Sequence, residues 1–411
     1  MKQKAFFSTL NLVMIIAGLQ AGSTLLSYIS PTLQDQPDLL VLPIRVLQLT
    51  ISVIVILWSG KQKIKLQPVQ IVLLVFWGCL LIRFFYDMFI RRDVFVASGI
   101  IYHQLISIVF VTLLPMYSVM KSYRFVNFRQ LFNWVVLLYI LCVVFVYISN
   151  EDFQSLEDMG RIEANSAMNT INTGHMALSA IILSIYSAIC NKGLFIRFFC
   201  LGGAIVACLI MLRSGSRGPL LGLVGIVGIV TYGFFQNRVK GLLISLSLFI
   251  VGYLAIEFII DFIEEIAPTV VRRITYKEEN GGQLNDRLLL YEYAYNAFLE
   301  SPIIGKDFAI YIGEGMIYSH NFMLDTMMQL GIVGTVMMIY IVWKSLQKTV
   351  YLIRERKIYG WIALLMIQSF SKMLVSGAFY QSAITTIIIM LLFMPLEKEN
   401  QTLYPNGKIN G

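Results

Sequence analysis

Three segments of the sequence carry side chains suited to holding a diphosphate and to moving a proton. Arg217 lies just before one apolar run, Arg287 lies in a long polar stretch, and His320 opens a later apolar run. An arginine offers a planar fork of donors that fits phosphate oxygens, and two arginines suit a diphosphate. A histidine accepts a proton near neutral pH and suits the work of a general base. The set predicts a site that binds a diphosphate and removes a proton.

Each of these residues also has a simpler interpretation. An arginine beside the end of a membrane span is often a headgroup anchor, and a lone loop histidine is often only solvated. The segment around Arg217 favours an anion site, because Ser216 or Gly218 can cap a following helix whose first turn suits Pro219. The N–H groups at such a helix start attract anions. Physical reasoning alone leaves both interpretations open.

The composition indicates that these residues belong to an integral membrane protein. Of the 411 residues, 57% are hydrophobic and 14% are charged, whereas a soluble domain carries roughly 25% charged residues. Repeated apolar runs of about 20 residues indicate helices rather than a β-barrel. The predicted fold is an all-α integral membrane protein with about twelve transmembrane helices. The predicted spans are residues 6–30, 39–58, 68–90, 99–120, 131–149, 174–190, 196–212, 218–235, 241–261, 321–343, 358–376 and 378–395.

The charged residues between these spans predict the orientation. If the N-terminus lies inside, the inner loops hold most of the lysines and arginines and the outer loops hold most of the acids, as the positive-inside rule requires. Both termini are then cytoplasmic, and the net charge of +8 marks the inner membrane surface rather than a nucleic-acid partner. We expect one membrane domain over residues 1–395 and a cytoplasmic tail over residues 396–411.

An extracytoplasmic loop at residues 261–320 separates the ninth and tenth predicted spans and is long enough to carry function. Within it, Asn285 or Asp286 can cap a helix that ends before Ser301. The tyrosines of this helix suit either a position at the level of the headgroups or ordinary packing. In the predicted orientation, the two arginines and the histidine of the candidate site all lie on this outer side.

The span that follows Arg217 is rich in glycine. Gly218, Gly222, Gly225 and Gly228 recur at a spacing that lets helix backbones approach closely in lipid. We expect this face to pack against neighbouring helices.

Charged residues inside predicted spans are costly in lipid and are therefore candidates for function. Arg45, Arg83 and Lys372 are of this kind, and the arginines could contact phosphates or pair with acids such as Asp87. The five cysteines lie in or beside apolar runs without metal-type spacing, and no acidic pair suited to magnesium is evident in the sequence. We expect no metal and no cofactor.

The candidate segments resemble motifs of the bacterial O-antigen ligase and polymerase superfamily. Residues 214–222 resemble its serine-arginine-glycine motif. Arg287, with the tyrosines that follow and the turn at residues 302–305, resembles its loop arginine and Pro-x-x-Gly turn, although the family's loop is often longer. Residues 319–324 and 331–334 resemble its His-Asn and Gly-Ile-x-Gly motifs.

The resemblance, which covers about residues 155–340, implies a membrane glycosyltransferase. Members take a glycan from an undecaprenyl diphosphate carrier at the outer face of the bacterial cytoplasmic (inner) membrane. The family's catalytic histidine falls on His320 and its diphosphate-binding arginines on Arg217 and Arg287. We expect the acceptor hydroxyl to attack from the face opposite the diphosphate, which makes the transfer inverting, and the lack of an evident acidic pair predicts a metal-independent reaction. Lower-ranked site candidates are Arg213, Arg161, His175, Asn321, Arg83 and Arg45.

Two details of this site stay open. His175 and Arg161 could line the path of the acceptor, or they could be simple loop residues. The group that orients the catalytic histidine is not assigned: Asp307 and Glu314 are near it in sequence, whereas Asp325 lies five residues on, off the same helix face.

The identity of the acceptor distinguishes two possible activities of the protein. A second carrier-linked glycan would make the protein a polymerase of O-antigen, capsule or exopolysaccharide, which we favour, and lipid A core would make it an O-antigen ligase. The implied partners are these glycans, membrane lipid and, for a polymerase, a chain-length regulator. The alternative of another class is a flippase for the same lipid-linked sugar. Transporters typically show repeated halves with helices broken at midplane, and no internal repeat is evident in this sequence.

Overall fold

Helices form almost all of the structure, a computed structural model that describes residues 2–30, 32, 36–60, 64–91, 100–149, 162–235, 237–254, 282–312, 315–355, 357 and 359–395. The predicted cytoplasmic tail and the part of the predicted loop before residue 282 lie outside these residues. The helices are α1 (Lys2–Ile29), α2 (Pro37–Ser59), α3 (Pro68–Phe89), α4 (His103–Phe125), α5 (Phe128–Ser149), α6 (Thr170–Cys190), α7 (Leu194–Arg213), α8 (Arg217–Phe234), α9 (Arg238–Leu254), α10 (Gly282–Glu300), α11 (Phe322–Arg354), α12 (Gly360–Ser376) and α13 (Ala383–Leu392).

Nine helices of the described chain, α1 to α8 and α11, are long and apolar enough to cross a membrane. The other three predicted spans overlap α9, α12 and α13, whose described lengths are 17, 17 and 10 residues. The prediction of a helical membrane protein is confirmed, and the count of twelve spans stays a prediction. Large apolar side chains such as Leu57 and Phe195 are exposed on outward faces, where lipid would cover them.

The core lies around α6 and the last two helices. In α6, 78% of the most apolar stretch is buried, and the helix packs against α5, α7, α8 and α12. α12 and α13 are buried along most of their lengths, including Trp361, Met366 and Ile387. A helix that neighbours surround can be apolar on every side, so its sequence shows no separate polar face.

The glycines of α8 differ in what they face. A Cβ on Gly222 would lie 2.9 Å from Leu178 Cδ2 and 3.0 Å from Ser371 Oγ, so the close approach of α6 and α12 requires glycine there. At Gly225 and Gly228, no described atom outside the helix's own nearby backbone lies within 4 Å of a Cβ, although the carbonyl oxygen of Gly228 accepts a hydrogen bond from Ser245 Oγ of α9 at 3.3 Å. The spacing therefore shows which residues share a face but not which of them a neighbour approaches most closely.

A two-stranded antiparallel sheet, β1 (Ile310–Ile312) with β2 (Gly315–Ile317), interrupts the otherwise helical chain. The all-α prediction did not include it, because strands of three residues are too short to show a period of two. β2 ends just before the segment that carries His320, so the sheet fixes how this segment approaches α11.

The loop helix α10 begins earlier than the sequence predicts. It starts at Gly282, which places Asn285 and Asp286 inside the helix rather than at its N-cap. Helix starts are poorly fixed by capping preference where the preceding residues can also adopt the helix. The helix packs on α11, as in the packing alternative, and the side chains buried in this small cluster include Leu290, Ala294 and Ala297.

α11 is broken at Gly331, whose φ of 60° and ψ of −151° are not helical. The turn at residues 302–305 fills the break, and the carbonyl oxygen of Pro302 accepts a hydrogen bond from the N–H of Ile332 at 2.8 Å. A Cβ on Gly331 would lie 2.5 Å from the carbonyl carbon of Ile303. The Pro-x-x-Gly turn thus packs into the break within the Gly-Ile-x-Gly segment. We call this arrangement the interlock, and only glycine fits at position 331 within it.

Arg83 of α3 satisfies the carbonyl groups around this interlock. It also forms an ion pair with Asp87 at 3.6 Å, as one alternative of the sequence analysis expects. Backbone polar groups at membrane depth need partners inside the protein, and the guanidinium supplies them. It donates to the carbonyl oxygens of Gly305 (2.6 Å), Ile304 (2.9 Å), Lys306 (3.1 Å) and Gln329 (3.1 Å).

Candidate functional site

Residues 318–321 form a turn that places His320 at the N-terminus of α11. His320 has a φ of 62°, in the left-handed region that residues other than glycine rarely adopt. Such a conformation costs about 1–3 kcal/mol and occurs often at functional sites, where the surroundings hold the backbone. Asn321 is the N-cap of α11, and its Oδ1 accepts hydrogen bonds from the N–H groups of Met323 and Leu324 at 3.0 and 3.3 Å.

Asp325 in the first turn of α11 holds this turn in place. Its side chain is buried, and its Oδ1 accepts a hydrogen bond from the N–H of Ser319 at 2.8 Å. Of the other acids near His320 in sequence, Asp307 pairs with Arg91, and Glu314 lies outside the described residues. Asp325 therefore fixes the backbone that carries the histidine.

His320 has the electrostatic surroundings of a neutral base. Its ring is half-buried, and burial lowers its pKa below the usual value of 6.5, with a further lowering from the positive charge of Arg287. The ring packs against that of Tyr318, with the centroids 4.5 Å apart. Nδ1 is buried without a hydrogen-bond partner among the described residues. A neutral imidazole with an unused ring nitrogen can accept a proton.

Arg287 reaches the same place from the loop helix. Its Nη1 donates to the carbonyl oxygen of Val375, in the last turn of α12, at 3.3 Å. Its positive charge acts to lower the pKa of both His320 and Tyr318, so the guanidinium lies within electrostatic range of the histidine. The bond to Val375 uses one of the five donors of an arginine.

Arg217 is an exposed residue at the start of α8. Ser216 is the N-cap residue, as expected, but its side chain makes no capping hydrogen bond and so does not occupy the first N–H groups of the helix. A Cβ on Gly218 would lie 3.0 Å from Val375 Cγ2. Val375 is therefore a common neighbour of the Arg217 segment and of Arg287, and the two segments meet at the end of α12.

His175 lies within α6 and is buried, with 1% of its surface exposed. Its Nδ1 is 3.2 Å from Nε2 of Gln368, and its Nε2 would lie 3.1 Å from a Cβ on Gly218. The histidine therefore packs under the helix start that carries Arg217, and the expectation of a loop residue is wrong. Arg161, predicted beside it, lies outside the described residues.

The remaining candidates make contacts within the protein. Arg45 donates to Oε1 of Gln48 on its own helix at 3.1 Å. Arg213 is buried at the end of α7, where its carbonyl oxygen accepts a hydrogen bond from the N–H of Ile162 at 3.3 Å. The side chain of Asn321 caps α11, and that of Arg83 holds the interlock.

A polar cavity of about 240 Å³ lies beside the turn that carries His320. Lys372 of α12 faces it and donates to Oδ1 of Asn172 at 2.6 Å. Lys372 stands out in the sequence as a costly charge within an apolar run, but no motif or spacing connects it with Asn172 or Tyr318, which lie far away along the chain. The polar side chains that line the cavity include Asn169, Asn172, Tyr318, Lys372, Gln381 and Ser382.

A larger groove of about 570 Å³ lies between α3 and α11, beside the interlock. Much of its lining is apolar, with Ile82, Leu330 and Met337 among the residues. Its three cations have acidic partners, since Arg83 pairs with Asp87, Arg91 with Asp307 and Lys306 with Glu300. The groove therefore offers apolar surface more than unpaired charge.

The helices and this cluster define a multi-pass helical membrane protein with two arginine-bearing segments and a histidine at neighbouring helix ends. Residues 202–339 match the family model described as O-antigen ligase, and this match places the segment in the O-antigen ligase-like superfamily. The segment contains Arg217, Arg287 and His320. No curated protein matches the sequence. The family implies a glycosyltransferase-like enzyme and indicates glycan transfer in the synthesis of O-antigen or a related polysaccharide.

Proposed function

We propose that the protein transfers a glycan from an undecaprenyl diphosphate-linked donor to a sugar hydroxyl at the outer face of the cytoplasmic membrane. The observation that carries this proposal is the meeting of Arg287, the Arg217 segment and His320 near the end of α12. A neutral histidine and two guanidinium groups provide a base and an anion site within one cluster. These are the two functions that displacement of a diphosphate requires.

In the proposed reaction, Arg217 and Arg287 hold the diphosphate and stabilise the negative charge that grows as it leaves. The first N–H groups of α8 add partial positive charge at the same place. His320 accepts the proton of the acceptor hydroxyl, and the oxygen attacks the anomeric carbon from the face opposite the diphosphate. A glycosidic bond forms, the bond to the diphosphate breaks, and the configuration inverts. The residues in these roles require no metal.

We favour a polymerase, in which the acceptor is a second carrier-linked glycan. The family description names an O-antigen ligase, so a ligase that uses lipid A core is the second candidate. Both activities use the same donor and the same three residues, and they differ only in which hydroxyl approaches His320.

An acceptor assay with purified protein tests this proposal. The donor is an undecaprenyl diphosphate-linked repeat unit, lipid A core is added or left out, and a chelator is present throughout. Longer glycans on the carrier would establish the polymerase, and product on lipid A core alone would establish the ligase. Failure to transfer glycan to either acceptor, with movement of the lipid across a bilayer instead, would contradict glycan transfer and favour a flippase.

A further inference from the structure

Lys372 is a cation in the apolar helix α12, and its side chain lines a polar cavity. Its Nζ donates to Oδ1 of Asn172 at 2.6 Å, which leaves other donors of the ammonium for a ligand. In the described part of the chain, no carboxylate oxygen lies within 4 Å of Nζ. Glu163, an acid close to the cavity in sequence, accepts a hydrogen bond from the N–H of Thr170 instead. A charge in this position is costly unless a partner compensates it.

The surroundings of Lys372 favour an anionic partner. α6 begins at Thr170 and α13 begins at Ala383, and the cavity is lined by the residue before each start, Asn169 and Ser382. The N-terminal ends of helices carry partial positive charge. The volume of about 240 Å³ is below the roughly 300–1,000 Å³ of sites for drug-sized ligands. The cavity therefore suits a single charged group, such as a phosphate or a carboxylate, rather than a large ligand.

The cavity adjoins the residues assigned to glycan transfer. Tyr318 lines it and also packs against the ring of His320, with the centroids 4.5 Å apart. Lys372 precedes Val375 by one helical turn, and the carbonyl oxygen of Val375 accepts a hydrogen bond from Arg287. An anion bound by Lys372 would therefore belong to a molecule that also reaches the candidate site.

We propose that this cavity is a further anion-binding site, in which Lys372 and Asn172 bind a phosphate or carboxylate group of a glycan substrate. The inference rests on the proposed function, because it takes the bound group to be part of the donor or the acceptor. The phosphate would come from the carrier diphosphate, and the carboxylate would come from an acidic sugar.

Binding to the full-length protein in nanodiscs of phosphatidylcholine tests this site. The probes are undecaprenyl diphosphate, a carrier-free oligosaccharide that contains glucuronate, and neutral undecaprenol. Lys372→Met should weaken binding of an anionic probe by about tenfold or more, as the loss of a hydrogen bond to a charged group predicts. Lys372→Arg should retain most of the affinity, and binding of undecaprenol should not change. The anionic probe that is affected identifies phosphate or carboxylate as the bound group.

The matched control is Lys344→Met, which removes another lysine that bonds a side-chain amide, Gln347 Oε1 at 3.2 Å, in an exposed position. It should bind all probes like the wild type. Unchanged binding of both anionic probes by folded Lys372→Met protein would overturn the inference, and so would equal weakening of undecaprenol binding. Arg217→Ala and Arg287→Ala, measured with undecaprenyl diphosphate, test the proposed donor site separately, because their effect does not depend on Lys372.

Discussion

At the scale of the single residue, His320 combines two features that its position in the sequence does not show. It has a left-handed backbone conformation, and its pKa lies below the usual value because of burial and the charge of Arg287. The residue types were enough to mark the histidine and the two arginines as candidates, and the resemblance to family motifs favoured them. The conformation was not predictable, because it depends on the bond between Ser319 and the buried Asp325.

The pH dependence of the transfer should report this pKa. The base must be neutral, so the rate should rise with pH along an acidic limb whose midpoint lies below 6.5. Arg287→Gln removes the second cause of the lowered pKa and should move the midpoint to higher pH. The measurement is kcat/KM against pH for both proteins. A wild-type midpoint above 6.5, or no shift in the variant, would contradict this account of His320.

Substitution of Asp325 should affect turnover more than substrate binding. Asp325→Leu leaves the N–H of Ser319 without its buried partner, a loss of about 1–3 kcal/mol, and frees the turn that holds His320. We expect kcat to fall by roughly tenfold or more, with a smaller change in KM. Asp325→Asn keeps an oxygen that accepts the same bond and should retain most of the activity. If both variants behaved alike, the hydrogen bond would not be what positions His320.

At the scale of elements, the site is supported by the interlock, in which the turn at residues 302–305 packs into the break of α11 at Gly331. The glycine and proline spacing was visible in the sequence and resembled family motifs. Its structural meaning was not visible, because the residues packed against Gly331 lie about 30 residues away along the chain. Arg83, which bonds the nearby carbonyl oxygen of Gln329, lies on a separate helix, α3. The early start of α10 and the two short strands were missed for a similar reason, since tertiary contacts outweigh local preference.

Gly331→Ala should destabilise the protein strongly. The added Cβ would lie 2.5 Å from the carbonyl carbon of Ile303, at a positive φ of 60°. The strained backbone alone costs about 1–3 kcal/mol, and the clash adds to it, so the midpoint of thermal unfolding should fall. Gly225→Ala is the matched control, because no described atom lies within 4 Å of its Cβ position and alanine favours a helix by about 1 kcal/mol. Equal melting of the two variants would argue against the interlock.

At the scale of the whole molecule, the composition and the length of the apolar runs were sufficient to predict a helical membrane protein. They could not show which helices surround α6, because each helix that lies in the core has several apolar faces. The orientation rests on the distribution of charge between loops and is a prediction with its own experiment.

Labelling of single cysteines tests the orientation. In a variant without the five native cysteines, Leu299→Cys on α10 and Lys344→Cys on α11 mark the two predicted sides. In intact cells, a membrane-impermeant maleimide should label the first position, and it should label the second only after permeabilisation. The opposite pattern would place the candidate site on the cytoplasmic side.

The most direct test of the central claim is a single-turnover transfer assay with a carrier-linked donor. It compares the wild type with His320→Ala and Arg287→Ala, with Lys344→Met as the control. If His320 is the base and Arg287 stabilises the leaving diphosphate, each alanine variant should lose roughly a hundredfold or more in rate, while the control transfers like the wild type. Full turnover by folded His320→Ala protein would contradict the assignment of His320 as the catalytic base.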